Sequence, residues 1–218
     1  MDTSFSPKTV AWLVGIGEHN SRAWFLDHKP EYEAHVKAPF QALLLKLQAV
    51  HGGTPHFFRP NRDIRFSKDK SPYKTNTSGA LRNTETGGKY LEFSLNGLLA
   101  ATGYYELDKE QLISYRNALT GPRAEGLGAE LSGILDSIRS AGCTIGGDRL
   151  KRTPQGIPTD VPYAELLKYK SITMHATLDL EEAYDAERCF EFATRTWKAG
   201  DLLNAWMDEH VGRRVVLG

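Results

Sequence analysis

The sequence predicts an α+β fold in which an antiparallel sheet, with at least one hairpin, packs against several helices. Three observations predict it. Apolar residues recur at helical spacing before position 52 and again after 108. They alternate with period two around 91–105 and 172–178, and Asn96-Gly97 stands between two such runs as a turn. Helices and hairpin-joined strands are grouped along the chain, which describes a segregated α+β arrangement. With no internal repeat, low-complexity tract or linker, residues 1–218 read as a single domain.

Each element has a local reason. Val36, Phe40, Leu43, Leu44, Leu47 and Val50 form a helical stripe with Lys37, Gln41 and Gln48 turned outward. Pro39 inside it predicts a kink or a fresh helix start, and Gly52-Gly53-Thr54-Pro55 ends it. A strand is expected within Lys74–Arg82. Leu91, Phe93 and Leu95 alternate with Glu92, Ser94 and Asn96, and a type I′ turn at Asn96-Gly97 leads into Leu98–Tyr105. Asp108 and Gln111 have capping-box spacing and open a helix through Leu119. Gly121-Pro122 starts the next, with Leu127, Leu131, Ile134, Leu135 and Ile138 on one face until Gly142. Thr144–Arg152 reads as a strand, Tyr163–Tyr169 as a short helix, and Ile172–Leu178 as a half-exposed strand. Asp179 and Glu182 cap a helix reaching about Trp197, and Asp201 begins the last one.

Composition excludes several classes. Hydrophobic residues at 40% and charged residues at 25% describe an ordinary globular chain, long enough to bury about 70% of its unfolded surface. Twenty-seven basic residues balance 27 acidic ones, which counts against a nucleic-acid-binding surface but leaves room for a local basic patch. Cys143 and Cys189 form no Cys-x-x-Cys pair, so neither a disulfide framework nor a cysteine-rich zinc site is expected, and a reducing compartment fits. The apolar run Val10–Gly17 lacks a basic start and a small-residue cleavage site, and no run approaches a membrane span. The expectation is a cytoplasmic protein without a membrane segment; Asn76-Thr77-Ser78 is then a chance match to the glycosylation triplet.

One segment stands apart, Arg59 to Lys74. It carries six basic and two acidic residues, a net of +4, so the rest of the chain carries −4. Pro60 and Pro72 bracket it, neither period runs through it, and Ile64, Phe66 and Tyr73 offer apolar anchors. The stretch Arg62-Asp63-Ile64-Arg65-Phe66-Ser67-Lys68-Asp69-Lys70-Ser71-Pro72-Tyr73-Lys74-Thr75 resembles the signature of a family of conserved hypothetical proteins of bacteria and some fungi. The resemblance extends over nearly the whole chain, through Gly103-Tyr104-Tyr105, Leu150-Lys151-Arg152-Thr153-Pro154-Gln155-Gly156 and Glu165-Leu166-Leu167-Lys168. It implies no activity. Ile64 stands where Val or Thr is usual, and Asn61 where Tyr is usual, which removes an aromatic beside the cations.

Read as an extended strip, Arg62, Ile64, Phe66, Lys68 and Lys70 share one face, while Arg65 pairs with Asp63 and Asp69 on the other. Such a strip suits an anion, because arginine offers a bidentate fork and lysine a point charge. The expected ligand site is Arg62, Asp63, Arg65, Lys68, Lys70 and Lys74, joined by Lys151 and Arg152 if the second basic cluster converges on it. The ligand class is an anionic, phosphate-bearing small molecule. Two alternatives stay open: an ion-pair network that pins the loop within a protein-interaction domain, and a nucleic-acid-binding module.

Other motifs fail on spacing. Gly15-x-Gly17 lacks its third glycine and a preceding strand, and Gly87-Gly88-Lys89-Tyr90 lacks the Ser or Thr of a phosphate loop. Ser67-x-x-Lys70 and Ser71-x-x-Lys74 have the spacing of an activated serine, but Pro72 interrupts the second and no supporting element follows. The seven histidines form no ligand pair, so no metal, no cofactor and no catalytic residue is assigned. Tyr104 and Tyr105 are expected to divide between core and surface, and the acidic run from Asp179 to Glu187 to be a helix start.

Overall fold

The structure, a computed structural model, describes residues 4–65, 68–82, 87–158 and 160–213. The helical N-terminal region is divided into α1 (Pro7–Glu18), α2 (Arg22–Asp27), the short turn α3 (Lys29–Glu31), a π-helical segment (Tyr32–Lys37) and α4 (Ala38–His51). Pro39 explains the change of winding. It has no N–H for the His35 carbonyl, and its ring crowds that carbonyl in an α-helix. The backbone widens instead, the Ala38 N–H reaching back five residues to Glu33. The His35 carbonyl accepts the Thr9 hydroxyl at 2.6 Å, so the lost bond is replaced from α1. Of the predicted stripe, Val36, Phe40, Leu43, Leu44 and Leu47 are buried, and Val50 is exposed.

Gly52, at φ 67°, ends α4, but Thr54-Pro55 belongs to a strand that the sequence pattern concealed. β1 (Thr54–Phe57) runs antiparallel to β2 (Thr77–Arg82), with Thr54 opposite Arg82 and Phe57 opposite Gly79. A proline is admissible there because β1 is an edge strand. α4 lies close on this pair: a Cβ at Gly79 would come within 3.0 Å of the His56 carbonyl oxygen, Leu44 and Phe40.

β3 (Gly88–Ser94) and β4 (Gly97–Tyr104) form the expected hairpin. Its turn differs from expectation. Leu95 and Asn96 occupy the tip, and Gly97 has the positive φ, 104°; type I′ would require a positive φ at Asn96 too. Among the described residues only Tyr163 departs from negative φ without being glycine. The Ser94 hydroxyl, which accepts the Asn96 N–H at 3.2 Å, holds the alternative turn.

Asp108 and Gln111 make the reciprocal capping box of α5 (Lys109–Ala118). α6 (Ala124–Ser140) starts two residues past Pro122 and buries Leu127, Leu131, Leu135 and Ile138. The strand expected over Thr144–Arg152 is short, β5 (Thr144–Gly146), with an isolated bridge at Arg149. Tyr163–Tyr169 contains one 3₁₀ turn, Leu166–Lys168, and β6 (Ile172–Leu178) follows as expected. The Asp179 segment is a 3₁₀ turn at Glu182–Tyr184; α7 (Ala186–Ala199) begins after it and α8 (Asp201–His210) closes the fold.

The strands form a sheet in the order β1-β2-β3-β4-β6-β5, so the fold is α+β with an antiparallel sheet and helices. Two compact units are distinguishable. The first comprises Met1–Arg82, Tyr90–Ala100 and Thr177–Arg195, and the second Asn83–Lys89, Ala101–Ala176 and Thr196–Gly218. In the first, Trp12, Phe25 and Tyr32 form a mutually contacting aromatic group. In the second, one cluster joins Tyr115, Leu131, Leu135, Leu167, Ile172, Met174 and Trp206. Among the described residues no helix is long and apolar enough to cross a membrane.

The Gly97 turn generates a prediction. A Cβ there would meet the Leu178 carbonyl oxygen in addition to the unfavourable φ. Gly97→Ala should cost about 1–3 kcal/mol and lower Tm by roughly 3–10 °C, measured by calorimetry. Gly88→Ala, where a Cβ meets nothing within 4 Å, should leave Tm nearly unchanged.

Candidate functional site

The basic segment is a closed loop, not an extended strip. Its arms meet at an antiparallel bridge between Asn61 and Tyr73. The Arg62 N–H donates to the Pro72 carbonyl at 2.9 Å and the Lys74 N–H to the Pro60 carbonyl at 2.8 Å. Tyr73's own backbone groups point outward from this neck, and Asn20 takes both. Its Nδ2 donates to the Tyr73 carbonyl and its Oδ1 accepts the Tyr73 N–H, each at 3.0 Å. The amide thus serves as a one-residue third strand. The Tyr73 ring is buried and stacks on Phe25 at 4.2 Å, so apolar burial and hydrogen bonding act at the same residue.

Inside the loop, carboxylates and guanidinium groups pair off. Asp63 accepts Arg65 Nε at 3.0 Å and Nη2 at 2.6 Å, and also the Arg65 N–H at 3.2 Å. Asp69 accepts the Ser71 hydroxyl at 2.6 Å and N–H at 2.9 Å, and its other oxygen pairs with Arg62. Lys70 Nζ donates to the Ile64 carbonyl at 2.9 Å. The expected Arg65–Asp63 pair therefore forms, whereas Asp69 goes to Arg62, because a turning backbone does not keep the two faces of a strand. Phe66 and Ser67 lie outside the described residues. The Ser71 hydroxyl is committed to Asp69, which removes the serine–lysine reading of Ser71 and Lys74.

These bonds set the charges. Arg65's hydrogen bonds hold Asp63 at about 2. The Ser71 hydroxyl and N–H, followed by Arg62, hold Asp69 at about 2. Both carboxylates are anionic over the whole neutral range and are spent on partners inside the loop. Arg59, Lys68 and Lys70 are exposed, and among the described residues none of them forms an ion pair. Lys74 is partly buried, with Nζ 5.4 Å from the Phe58 ring centroid; burial lowers its pKa, opposed by Glu92.

Beside the neck lies a cleft of about 240 Å³, whose wall includes Phe58, Arg59 and Pro60 of the loop's first arm. Sequence reading missed this cleft and the Asn20 clamp. Asn20 is 53 positions from Tyr73, and no local pattern signals such a contact. The proline at 39 was a usable signal for the cleft, since a disturbed helix often borders a site.

Lys151 and Arg152 are exposed in the second unit. Near them in sequence, Arg149 pairs with Glu165 at 3.0 Å and lies 4.6 Å over the Tyr169 ring. Lys168 also pairs with Glu165, and its hydrogen bond lowers that carboxyl's pKa. Arg149 and Lys168 therefore meet at one carboxylate. Lys170 is taken by Asp148 at 3.0 Å. A second cavity, about 330 Å³, is bounded by Leu119, Ile157, Val161 and Pro162, and among the described residues no charged side chain lies in its wall. Tyr104 is buried with its hydroxyl donating to Asp208, while Tyr105 is 88% exposed, the division expected for this pair. Among the described residues, no group of three or more His, Cys, Asp or Glu side chains is arranged to hold a metal ion.

A pinned basic loop on an α+β frame is thus the feature that sets this protein apart chemically. The chain belongs to the family described as "Conserved hypothetical protein (DUF2461)", whose model matches residues 8–206. No curated protein matches it. Among solved structures it is similar to an uncharacterized protein from Methanothermobacter thermautotrophicus, with 12% identity over 79% of this chain and 99% of that one and a TM-score of 0.43.

Two predictions follow from the loop's geometry. Asn20→Ala leaves two backbone groups of Tyr73 without their partner, at about 1–3 kcal/mol. It should speed amide exchange at Tyr73 and proteolysis within 63–71 more than it lowers Tm. The second concerns pH. Because the folded pKa of Asp63 lies below the ordinary carboxylate value, its stabilising pair is complete above about pH 4 and lost as pH falls towards 2. An NMR carboxylate titration should place the Asp63 midpoint near 2, and Arg65→Gln should return it towards 3.8.

Proposed function

We propose that this protein binds an anionic, phosphate-bearing small molecule through the basic loop 59–74. One observation carries the reading: both loop carboxylates are consumed by Arg62, Arg65 and Ser71, which leaves the exposed cations Arg59, Lys68 and Lys70 uncompensated on a loop of closed shape. Preorganised cations bind an anion without the entropy cost of ordering a mobile tail. Arg62 and Arg65 are held in place by Asp69 and Asp63, and Lys68 and Lys70 supply charge. Lys74 contributes from the neck. The stretch 62–75 is then the family's signature because it makes this loop, and the family's range is bacterial and fungal.

The ion-pair network has an observation in its favour, since the pairs exist. Their exposure limits what they contribute: the Arg65 and Asp63 side chains are 77% and 49% exposed, and Arg62 and Asp69 32% and 53%. Solvent screens exposed pairs, so they are enough to shape a loop and too weak to staple a domain. The reading also places the protein in the cytoplasm, supported by the burial of both cysteines; burial pushes the Cys189 thiol up to about 12.

Thermal unfolding against nucleotides, sugar phosphates, polyphosphate and short RNA at fixed ionic strength tests it. A ligand at 100 times its Kd should add about 2.7 kcal/mol, or roughly 5–10 °C. The variant Arg59→Ala/Lys68→Ala/Lys70→Ala should keep the ligand-free Tm and lose the rise. A flat panel refutes the reading. A rise for RNA alone, with affinity falling steeply as salt increases, replaces it with the nucleic-acid module.

A further inference from the structure

The cleft at the root of the loop has walls of two kinds. Phe25, Tyr32, Phe57 and Phe58 give it an aromatic lining. Among the described residues, Lys29, Lys37 and Arg59 bring three cations against one carboxylate, Glu33, a net of +2. Glu33 and Lys37 pair at 2.5 Å, so the excess positive charge sits on Lys29 and Arg59, both exposed. Tyr32, Glu33 and Lys37 all come from the π-helical segment, and such widened turns are frequent at functional sites. The widening is imposed by Pro39 and maintained by the Thr9–His35 hydrogen bond, so the wall is built into the fold.

Size, shape and charge narrow what this cleft accepts. A cavity of ~150 Å³ accommodates benzene. At about 240 Å³ the cleft seats one ring with a short polar substituent, and any larger part of a ligand would extend outside it. Several aromatic walls favour a flat ring over an aliphatic chain, because offset and edge contacts add to simple burial. A phosphate monoester carries roughly −1.5 to −2 at neutral pH, which matches the net charge of the lining, whereas a carboxylate carries half of that. Burial, with Glu33 adding, pushes Tyr32 up to about 12, so its phenol stays neutral.

The geometry points to a ligand class for the site: a phosphate monoester carried on a single aromatic ring, the ring in the cleft and the phosphate at Lys29 and Arg59. This rests on the anion-binding reading above, with which it shares Arg59, and extends it by naming what carries the phosphate.

Calorimetric titration of the full chain with phenyl phosphate, glycerol phosphate, inorganic phosphate and benzoate tests it. Phenyl phosphate should bind at least about tenfold more tightly than the other three, the gain expected from burying one ring. Lys29→Gln and Arg59→Gln, both at exposed positions, should weaken all the phosphates by about tenfold. Phe57→Leu, which keeps the wall apolar but removes one aromatic contact, should narrow the preference for phenyl over glycerol phosphate several-fold and leave inorganic phosphate unchanged. Circular dichroism and Tm confirm that each variant is folded. If phenyl and glycerol phosphate bind equally, or Lys29→Gln has no effect while Lys68→Ala/Lys70→Ala weakens binding, the aromatic-phosphate class is overturned and the basic-loop reading stands. If phenyl phosphate binding depends on Lys29 and Phe57 but not on Lys68 and Lys70, the cleft stands and the loop reading falls. If none of the three phosphates binds, the aromatic-phosphate class is overturned, while the loop reading stands or falls on the thermal panel above.

Discussion

The backbone of Tyr73 exchanges two hydrogen bonds with the Asn20 side chain, its carbonyl accepting from Nδ2 and its N–H donating to Oδ1, and the shape of the basic loop depends on them. A segment of net charge +4 repels itself and would extend into solvent if its ends were loose. Two backbone hydrogen bonds across the neck close it, but a lone bridge leaves the outward N–H and C=O of Tyr73 exposed to competition from water. Asn20 satisfies both at once, and the ring of Tyr73 buried on Phe25 makes opening the neck cost apolar surface too. Everything chemical about the loop rests on that closure, including the pairing of Arg62 with Asp69 across seven positions.

A second constraint lies in the N-terminal helices. Pro39 deprives the His35 carbonyl of its helical donor, and Thr9, fully buried, supplies the replacement. The consequence is a segment of wider winding whose side chains face the root of the loop's first arm. One residue's missing N–H thus connects helix geometry to the composition of the cleft wall. The two constraints share Phe25, which stacks on Tyr73 and also lines the cleft.

The charges follow from geometry more than from number. Six basic residues in sixteen suggest one strong anion site, yet two are matched to carboxylates inside the loop and one is tucked against Phe58. What remains is a smaller, directed excess beside an aromatic cleft. In the second unit the same accounting runs the other way: Glu165 and Asp148 absorb Arg149, Lys168 and Lys170.

Local information was enough for much of this protein. The period-two alternation located β3, β4 and β6, the Asp108–Gln111 spacing located the start of α5, and the apolar stripe located α6, because each depends on residues within a turn or two of one another. The density of charge between Arg59 and Lys74 marked the candidate site, and the alternation of Asp and Arg foretold the Asp63–Arg65 pair. Other features depended on residues distant in sequence. β1 looks like a helix terminator because its Pro55 is tolerated only at a sheet edge, and an edge exists only once the sheet is assembled. The exchange of Asp69 from Arg65 to Arg62 required the backbone to turn, and the turn required a neck closed by Asn20. Sequence alone determined most of the helical and extended segments and where positive charge is concentrated, since those are properties of neighbours. Tertiary structure decided which charges are spent and which side chains surround the cleft, because a salt bridge or a cavity wall is defined by distance in space.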